Sequence, residues 1–305
     1  MANLSGGIAG SSEVRCRSLL AAFLLVATAI ETGAADLPLY PRLLANRVSI
    51  GSGDGTEISG FLYRPQTDDP RPAVLILHGC SGLLTKKSGR LKSRETAWRD
   101  IFLAEGYVVL LLDSFTERGH RSICGTSLRE RPIEPHRERP HDAYGALHWL
   151  QNQPFVDPGK VALGGWSNGA MSMLWTADAD APQRPAGLAH DFRAAFGFYP
   201  GCITLKKRRP DYTAAVPTFL QLGADDDWTW PKPCQKFAKR ATALGGASIT
   251  VETYDEAAHS FDHPKSKRRT ITVSDGRRVQ IGTHTAARNA AIKRIRSYLA
   301  EAFED

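Results

Sequence analysis

Residues Val161-Ala-Leu-Gly-Gly-Trp-Ser-Asn-Gly-Ala170 set Ser167 in a G-x-S-x-G frame, directly behind a short apolar run and directly ahead of a helix-competent stretch. Such a chain must turn sharply from strand to helix. The residue at the turn is held strained with its side chain exposed, while Gly165 and Gly169 let neighbouring backbone pass close by. This is the pattern of a nucleophile elbow. The pentapeptide alone occurs in many ordinary loops, so its meaning depends on its context.

That context is an alternation of strands and helices. Asn46-Arg-Val-Ser-Ile50 and Glu57-Ile-Ser-Gly-Phe-Leu-Tyr63 flank the turn cluster Gly51-Ser-Gly-Asp-Gly55 and read as an opening hairpin. Short apolar runs follow at residues 73–77, 107–112, 161–163 and 194–198, then strand-like runs at 218–222 and 248–254. Strands apolar on both faces belong inside a parallel sheet. Helical patterns lie between or after them at residues 94–105, 141–151, 167–177, 232–244 and 285–303. The order predicts one α/β domain, a doubly wound and mostly parallel sheet flanked by helices, with its site at the carboxyl ends of the strands. The long, charged, proline-bearing loop from Ser114 to Pro140 reads as a functional rim.

The first residues read as an address. Arg15 and Arg17 precede an apolar stretch at residues 18–30, followed by Gly33-Ala34-Ala35, which is the pattern of a secretory signal peptide over residues 1–35. The stretch is short of the roughly 20 residues that span a bilayer. A domain over residues 36–305 that is periplasmic or secreted is therefore expected, with no membrane attachment after leader removal. Cys16 leaves with the leader, and Cys80, Cys124, Cys202 and Cys234 remain as an even set suited to an oxidising compartment. Their loops follow strands expected to be neighbours, which predicts the bridges Cys202–Cys234 and Cys80–Cys124. Leader removal takes two acids and two bases and leaves the net charge at +7. The basic runs Lys206-Lys-Arg-Arg209 and Lys265-Ser-Lys-Arg-Arg269 carry no interleaved aromatics, so both read as solvated loops and no nucleic-acid partner is expected.

A serine at the elbow needs a base and a carboxylate to orient it, in the chain order Ser, Asp or Glu, His. After the strand ending at Leu222 comes Gly223-Ala-Asp-Asp-Asp-Trp-Thr229, and after the strand ending at Tyr254 comes Asp255-Glu-Ala-Ala-His-Ser-Phe261. Asp226, His259 and Ser167 are the expected triad, with Asp225 and Asp227 the alternatives for the acid. The backbone N–H of Asn168, and that of Cys80 in the loop His78-Gly-Cys-Ser-Gly82, are the expected oxyanion donors.

Together, Gly165-Trp-Ser-Asn-Gly169, the His78–Gly82 loop, Asp113-Ser-Phe-Thr-Glu-Arg-Gly119, Phe198-Tyr-Pro-Gly-Cys202, the Gly223–Thr229 segment and Ala258-His-Ser-Phe-Asp262 resemble the dienelactone hydrolase family of α/β-hydrolases, over roughly Val48 to Ala302. The resemblance implies hydrolysis of a small carboxylic ester or lactone without metal or organic cofactor. It also favours Asp226, because the family's acid stands three residues after the strand-ending glycine. Two features depart from the namesake enzymes. Their nucleophile is a cysteine switched on by a glutamate, whereas this chain has Ser167 and places Gly79 at the glutamate's position. They also hold a substrate carboxylate with two arginines; Arg118 matches one, and His263 stands in place of the other.

Arg118 is thus expected either to touch substrate or to make a structural bridge. Trp166, Tyr199 and Trp228 are candidate walls of an acyl pocket, as is Trp230. No metal-ligand spacing is present; His136 and His141 lack companions. Two other readings stay open on the sequence: a peptidase or acyltransferase using the same triad, and a non-catalytic binding protein that keeps the fold.

Overall fold

The structure, a computed structural model, describes residues 41–304. The expected leader lies outside the described residues. A short helix α1 (Pro41–Leu44) leads into the hairpin of β1 (Arg47–Gly51) and β2 (Glu57–Tyr63). Then come β3 (Arg71–Leu77), α2 (Ser93–Ala104), β4 (Val108–Asp113), α3 (Glu138–Gln151), β5 (Val156–Trp166) and α4 (Asn168–Thr176). The chain continues through β6 (Ala194–Phe198), α5 (Ile203–Arg208), β7 (Thr218–Gly223), α6 (Pro231–Ala243), β8 (Ile249–Tyr254), the hairpin β9 (Arg269–Thr272) and β10 (Arg278–Ile281), and α7 (Thr285–Glu304).

Eight strands form one sheet in the order β1-β2-β4-β3-β5-β6-β7-β8. β1, β2 and β4 pair antiparallel, and every pairing from β4 through β8 is parallel. Successive side chains of a strand point to opposite faces, and the core divides accordingly. Leu75, Leu77, Leu110, Leu112 and Leu163 pack with Leu147, Met173 and Phe237 of α3, α4 and α6. Their neighbours Val74, Ile76, Val109, Leu111 and Ala162 pack with Trp98 and Phe102 of α2 and Ile295 and Leu299 of α7. The sheet is therefore covered on both sides, the α/β-hydrolase arrangement expected from the alternating runs.

Both cysteine pairs are bonded, Cys80 to Cys124 with Cα atoms 4.9 Å apart and Cys202 to Cys234 at 5.1 Å. Two features differ from the sequence reading. Residues 269–281 form the hairpin β9–β10, whose short strands begin with Arg269 and Arg278 and keep much of their length exposed. Arg209 is not solvated freely either: it bridges Asp178, Asp180 at 3.1 Å and Asp211 at 3.2 Å. Among the described residues no helix is long and apolar enough to cross a membrane.

Candidate active site

The ends of β3, β5, β6, β7 and β8 open onto one edge of the sheet, and β5 lies between β3 and β6. Ser167 follows β5 with φ 52° and ψ −112°, a conformation that costs a non-glycine residue on the order of 1–3 kcal/mol. Packing holds it there. A Cβ on Gly165 would come within 2.5 Å of Gly169 O, and one on Gly169 within 2.1 Å of Leu77 O, so the elbow fits only with glycine on both sides. Among the described residues four non-glycine residues have positive φ, and three of them, Ser167, Tyr199 and Ser260, surround this site.

The three adjacent aspartates after β7 have three separate tasks. Asp226, 2% exposed, accepts the backbone N–H of Trp228 (3.0 Å) and of Thr229 (2.8 Å) on Oδ1, while Oδ2 lies 2.8 Å from His259 Nδ1. The Thr229 hydroxyl sits 2.9 Å from Asp226 Oδ2 and 3.0 Å from His259 Nδ1. Asp227 instead accepts the Gln280 N–H of β10 at 2.8 Å, and its carbonyl accepts from Arg277 at 3.0 Å. Asp225 faces Arg268 across 3.5 Å. One carboxylate therefore holds the histidine and its neighbours hold the hairpin.

His259 is clasped between the rings of Tyr199 (centroids 4.4 Å apart) and Trp228 (4.6 Å). Its carbonyl accepts the Gly282 N–H at 3.0 Å, which ties the hairpin to the histidine loop. Ser167 and His259 both line a cavity of about 280 Å³, together with Cys80, Lys92, Trp228, His263 and Arg269. A second cavity of about 150 Å³ shares Ser167, Cys80 and Trp228 with the first, but is bounded by Asn168, Met171, Ile203 and Val273 and not by His259.

Cys80 and Asn168 flank the serine from two directions. A Cβ on Gly79 would lie 3.8 Å from Ser167 Cβ, so the loop after β3 passes directly against Ser167. Cys80 is fixed there by its bridge to Cys124 and by accepting the Ile123 N–H at 2.8 Å. Asn168 opens α4, and its side-chain oxygen accepts from the buried Arg139 guanidinium at 2.8 Å. Burial pushes Arg139 down to about 10. His78 bonds Gly79 O through Nδ1 at 2.8 Å, while its Nε2 has no hydrogen-bond partner among the described residues. Burial first, then the charge of Arg139, holds it well below the usual histidine range, hence neutral.

Of the expected substrate contacts, Trp228 lines both cavities. Trp166 and Tyr199 line neither cavity, because both are fully buried. Their polar atoms converge on Asp262, which accepts from Tyr199 Oη at 2.5 Å, Trp166 Nε1 at 2.7 Å and Trp98 Nε1 at 2.8 Å. Arg94 donates to Tyr199 Oη at 3.2 Å and pairs with Glu95 at 2.7 Å. Arg118 is also committed elsewhere. It forks onto the buried Asp142 at 2.8 and 3.0 Å and reaches Asp54 at 2.8 Å, the structural bridge that a buried carboxylate requires. Thr229, Arg139, Asp262 and the hairpin were not identified from sequence. For Asp262 a signal existed, three residues past His259 within the same motif. Among the described residues no cluster of His, Cys, Asp or Glu is arranged to hold a metal.

The sequence profile of the dienelactone hydrolase family matches residues 58–303, from β2 to the end of α7. The chain belongs to the dienelactone hydrolase family. It is thus a hydrolase acting on ester bonds. A crystal structure from Klebsiella pneumoniae subsp. pneumoniae MGH 78578, described as a dienelactone hydrolase, superimposes with a TM-score of 0.61 at 17% identity, covering 83% of this chain and 97% of that one. Esterase 2 of Thermogutta terrifontis with propionate bound gives a TM-score of 0.58 at 17% identity, covering 85% and 95%. The quorum-quenching protein AidA of Acinetobacter baumannii (strain MDR-ZJ06) is 28% identical over 133 residues, which is 44% of this chain and 39% of that protein's length.

Proposed function

We propose that this protein hydrolyses a small carboxylic ester or lactone through an acyl-Ser167 intermediate. Ser167 Oγ attacks the carbonyl carbon as His259 Nε2 takes its proton, and the tetrahedral oxyanion is met by the N–H groups of Asn168 and Cys80. Collapse expels the alcohol, which receives the proton from His259. Water then enters by the same path in reverse and frees the acid. Asp226 keeps the Nδ1 proton in place and balances the transient imidazolium.

The observation that carries this reading is the 2.8 Å contact of Asp226 Oδ2 with His259 Nδ1, on the wall of a cavity shared with the strained Ser167. Ser167→Ala and His259→Ala are each expected to abolish turnover of an ester and lactone panel without loss of the fold, and the double variant to be little worse than either. Amide substrates and alcohol acceptors in the same panel separate peptidase and acyltransferase chemistry from hydrolysis. Wild-type turnover by a verified Ser167→Ala protein refutes the assignment.

Export is part of the same proposal. The two disulfides support it, since such bonds persist in oxidising compartments. The test is the amino terminus of protein recovered outside the cytoplasm, expected near Asp36.

A further inference from the structure

Among the described residues five large hydrophobic side chains are exposed, and three of them, Leu128, Ile203 and Trp230, line the smaller cavity beside Ser167. Single exposed apolar residues need no account, whereas a set gathered at one cavity mouth marks a surface that something covers. Trp230 is steadied there by the Arg277 guanidinium, 5.1 Å from its ring centroid. Asp275, the carboxylate on that cavity, is already paired with Arg277 at 2.9 Å. Ile203 is also the corner shared with an open groove of about 270 Å³, whose other walls are Lys206, Lys207, Lys232, Pro233 and Lys236. No carboxylate lines that groove. Among the described residues none of the four lysine side chains makes an ion pair or a hydrogen bond.

The fold assembles this patch from two separate segments. Lys206 and Lys207 belong to a run that reads in sequence as a solvated loop; they lie on α5, and α6 brings Lys232 and Lys236 to the same groove. Cys202, just ahead of α5, is bonded to Cys234 in the first turn of α6, so the two lysine pairs are locked side by side. Lys232, Lys236 and Lys239 also recur at helical spacing and are all exposed, a like-charge row that weakens a helix unless an anion lies over it. Unpaired lysines beside exposed Trp, Ile and Leu are the chemistry of a peripheral membrane contact, in which the cations meet lipid phosphates and the apolar side chains enter the acyl boundary. An acidic polysaccharide would engage the lysines and leave the apolar rim uncovered. We propose that the rim of the smaller cavity, with the lysine groove beside it, docks reversibly on an anionic lipid surface. Such a contact needs no spanning helix, and it amends the expectation that the processed chain has no membrane attachment. Docking does not depend on the chemistry of Ser167; its corollary, that an ester enters the cavity from the lipid layer, rests on the acyl-Ser167 reading.

The test is flotation with vesicles of phosphatidylglycerol and phosphatidylcholine in equal parts, against phosphatidylcholine alone, using Ser167→Ala protein beside the wild type so that turnover plays no part. Both proteins are expected to bind the anionic vesicles, to leave them as salt rises, and to ignore the neutral ones. Lys206→Gln combined with Lys236→Gln should weaken binding roughly 25-fold, at about 5-fold for each lysine near such a surface, with turnover of dissolved ethyl butyrate unchanged. Brominated acyl chains should quench the tryptophan fluorescence of the wild type and much less that of Trp230→Phe, which separates insertion of the apolar rim from charge attraction alone. An ester dissolved in the anionic vesicles should turn over faster than in neutral ones, and the double glutamine variant should lose that advantage. Equal affinity for charged and neutral vesicles, binding unchanged in the double variant, or binding to polygalacturonate without binding to vesicles overturns the docking surface and leaves the esterase reading intact. Vesicle binding by a wild type that neither turns over any ester nor takes a fluorophosphonate label overturns the esterase reading and leaves the docking surface standing.

Discussion

Replacing Asp226 by asparagine changes the tautomer of His259 while leaving nearly everything else in place. Oδ1 of Asp226 takes two backbone N–H groups, at 3.0 and 2.8 Å, and Oδ2 takes His259 Nδ1 at 2.8 Å. Asparagine has one oxygen. The two backbone donors cannot turn away, so they claim it, and the amide NH₂ is left facing the imidazole. His259 Nδ1 must then accept, which moves the ring proton to Nε2, the atom needed to receive the proton of Ser167. The corresponding exchange in a serine protease lowers kcat by about 10⁴, or ~5 kcal/mol of barrier at 1.36 kcal/mol per decade. The fold loses far less, about 1 kcal/mol, because both backbone bonds survive. Turnover of ethyl butyrate in a pH-stat, with urea unfolding alongside, measures the two effects separately. Asp225→Asn should be silent, since its half-exposed contact with Arg268 is 3.5 Å long. Asp227→Asn should cost little, since an amide oxygen can still accept from Gln280. The reasoning fails if Asp226→Asn keeps more than about a tenth of wild-type kcat, or if Asp227→Asn is the more damaged enzyme.

Cys124→Ser should lower stability by up to ~4 kcal/mol, from the 44-residue separation it spans, and should also lower kcat because it frees the Cys80 loop; lost stability with unchanged kcat in urea and rate measurements would give the bridge a purely structural role. Asp262→Ala strands three buried donors and is expected to cost about 3–6 kcal/mol in urea unfolding, whereas a cost near zero contradicts the network described. Burial lowers Lys92 from 10.5 to about 8, so between those values the unfolded chain binds more protons than the folded one and stability rises with pH. Lys92→Met should therefore lose, between pH 8 and 10.5, a relative advantage of at most ~3 kcal/mol, and a pH-independent difference between the two proteins would refute the burial argument.

The sheet was legible because β3, β4 and β6 are apolar on both faces, which no solvated structure tolerates. Ser167, Asp226 and His259 were legible because each follows a strand end, and β5, β7 and β8 open onto one edge. The hairpin β9–β10 was not. Arg269-Thr-Ile-Thr272 and Arg278-Val-Gln-Ile281 are short and polar, and their order comes from Trp228 packing on Val273, Val279 and Ile281 and from Asp227. Trp166 and Tyr199 misled for the opposite reason. An aromatic ring beside a nucleophile suggests a pocket wall, and only the position of Asp262 in space shows that their polar atoms point inward.

The central claim is that Ser167 carries the acyl group. Reaction of the purified protein with a fluorophosphonate, followed by intact mass and peptide mapping, tests it most directly. The expected result is a single adduct on the peptide containing Gly165-Trp-Ser-Asn-Gly169, forming in step with loss of ester turnover and absent from Ser167→Ala and, at matched times, from His259→Ala. An adduct on another residue, or full turnover with Ser167 unmodified after the same exposure, would contradict it.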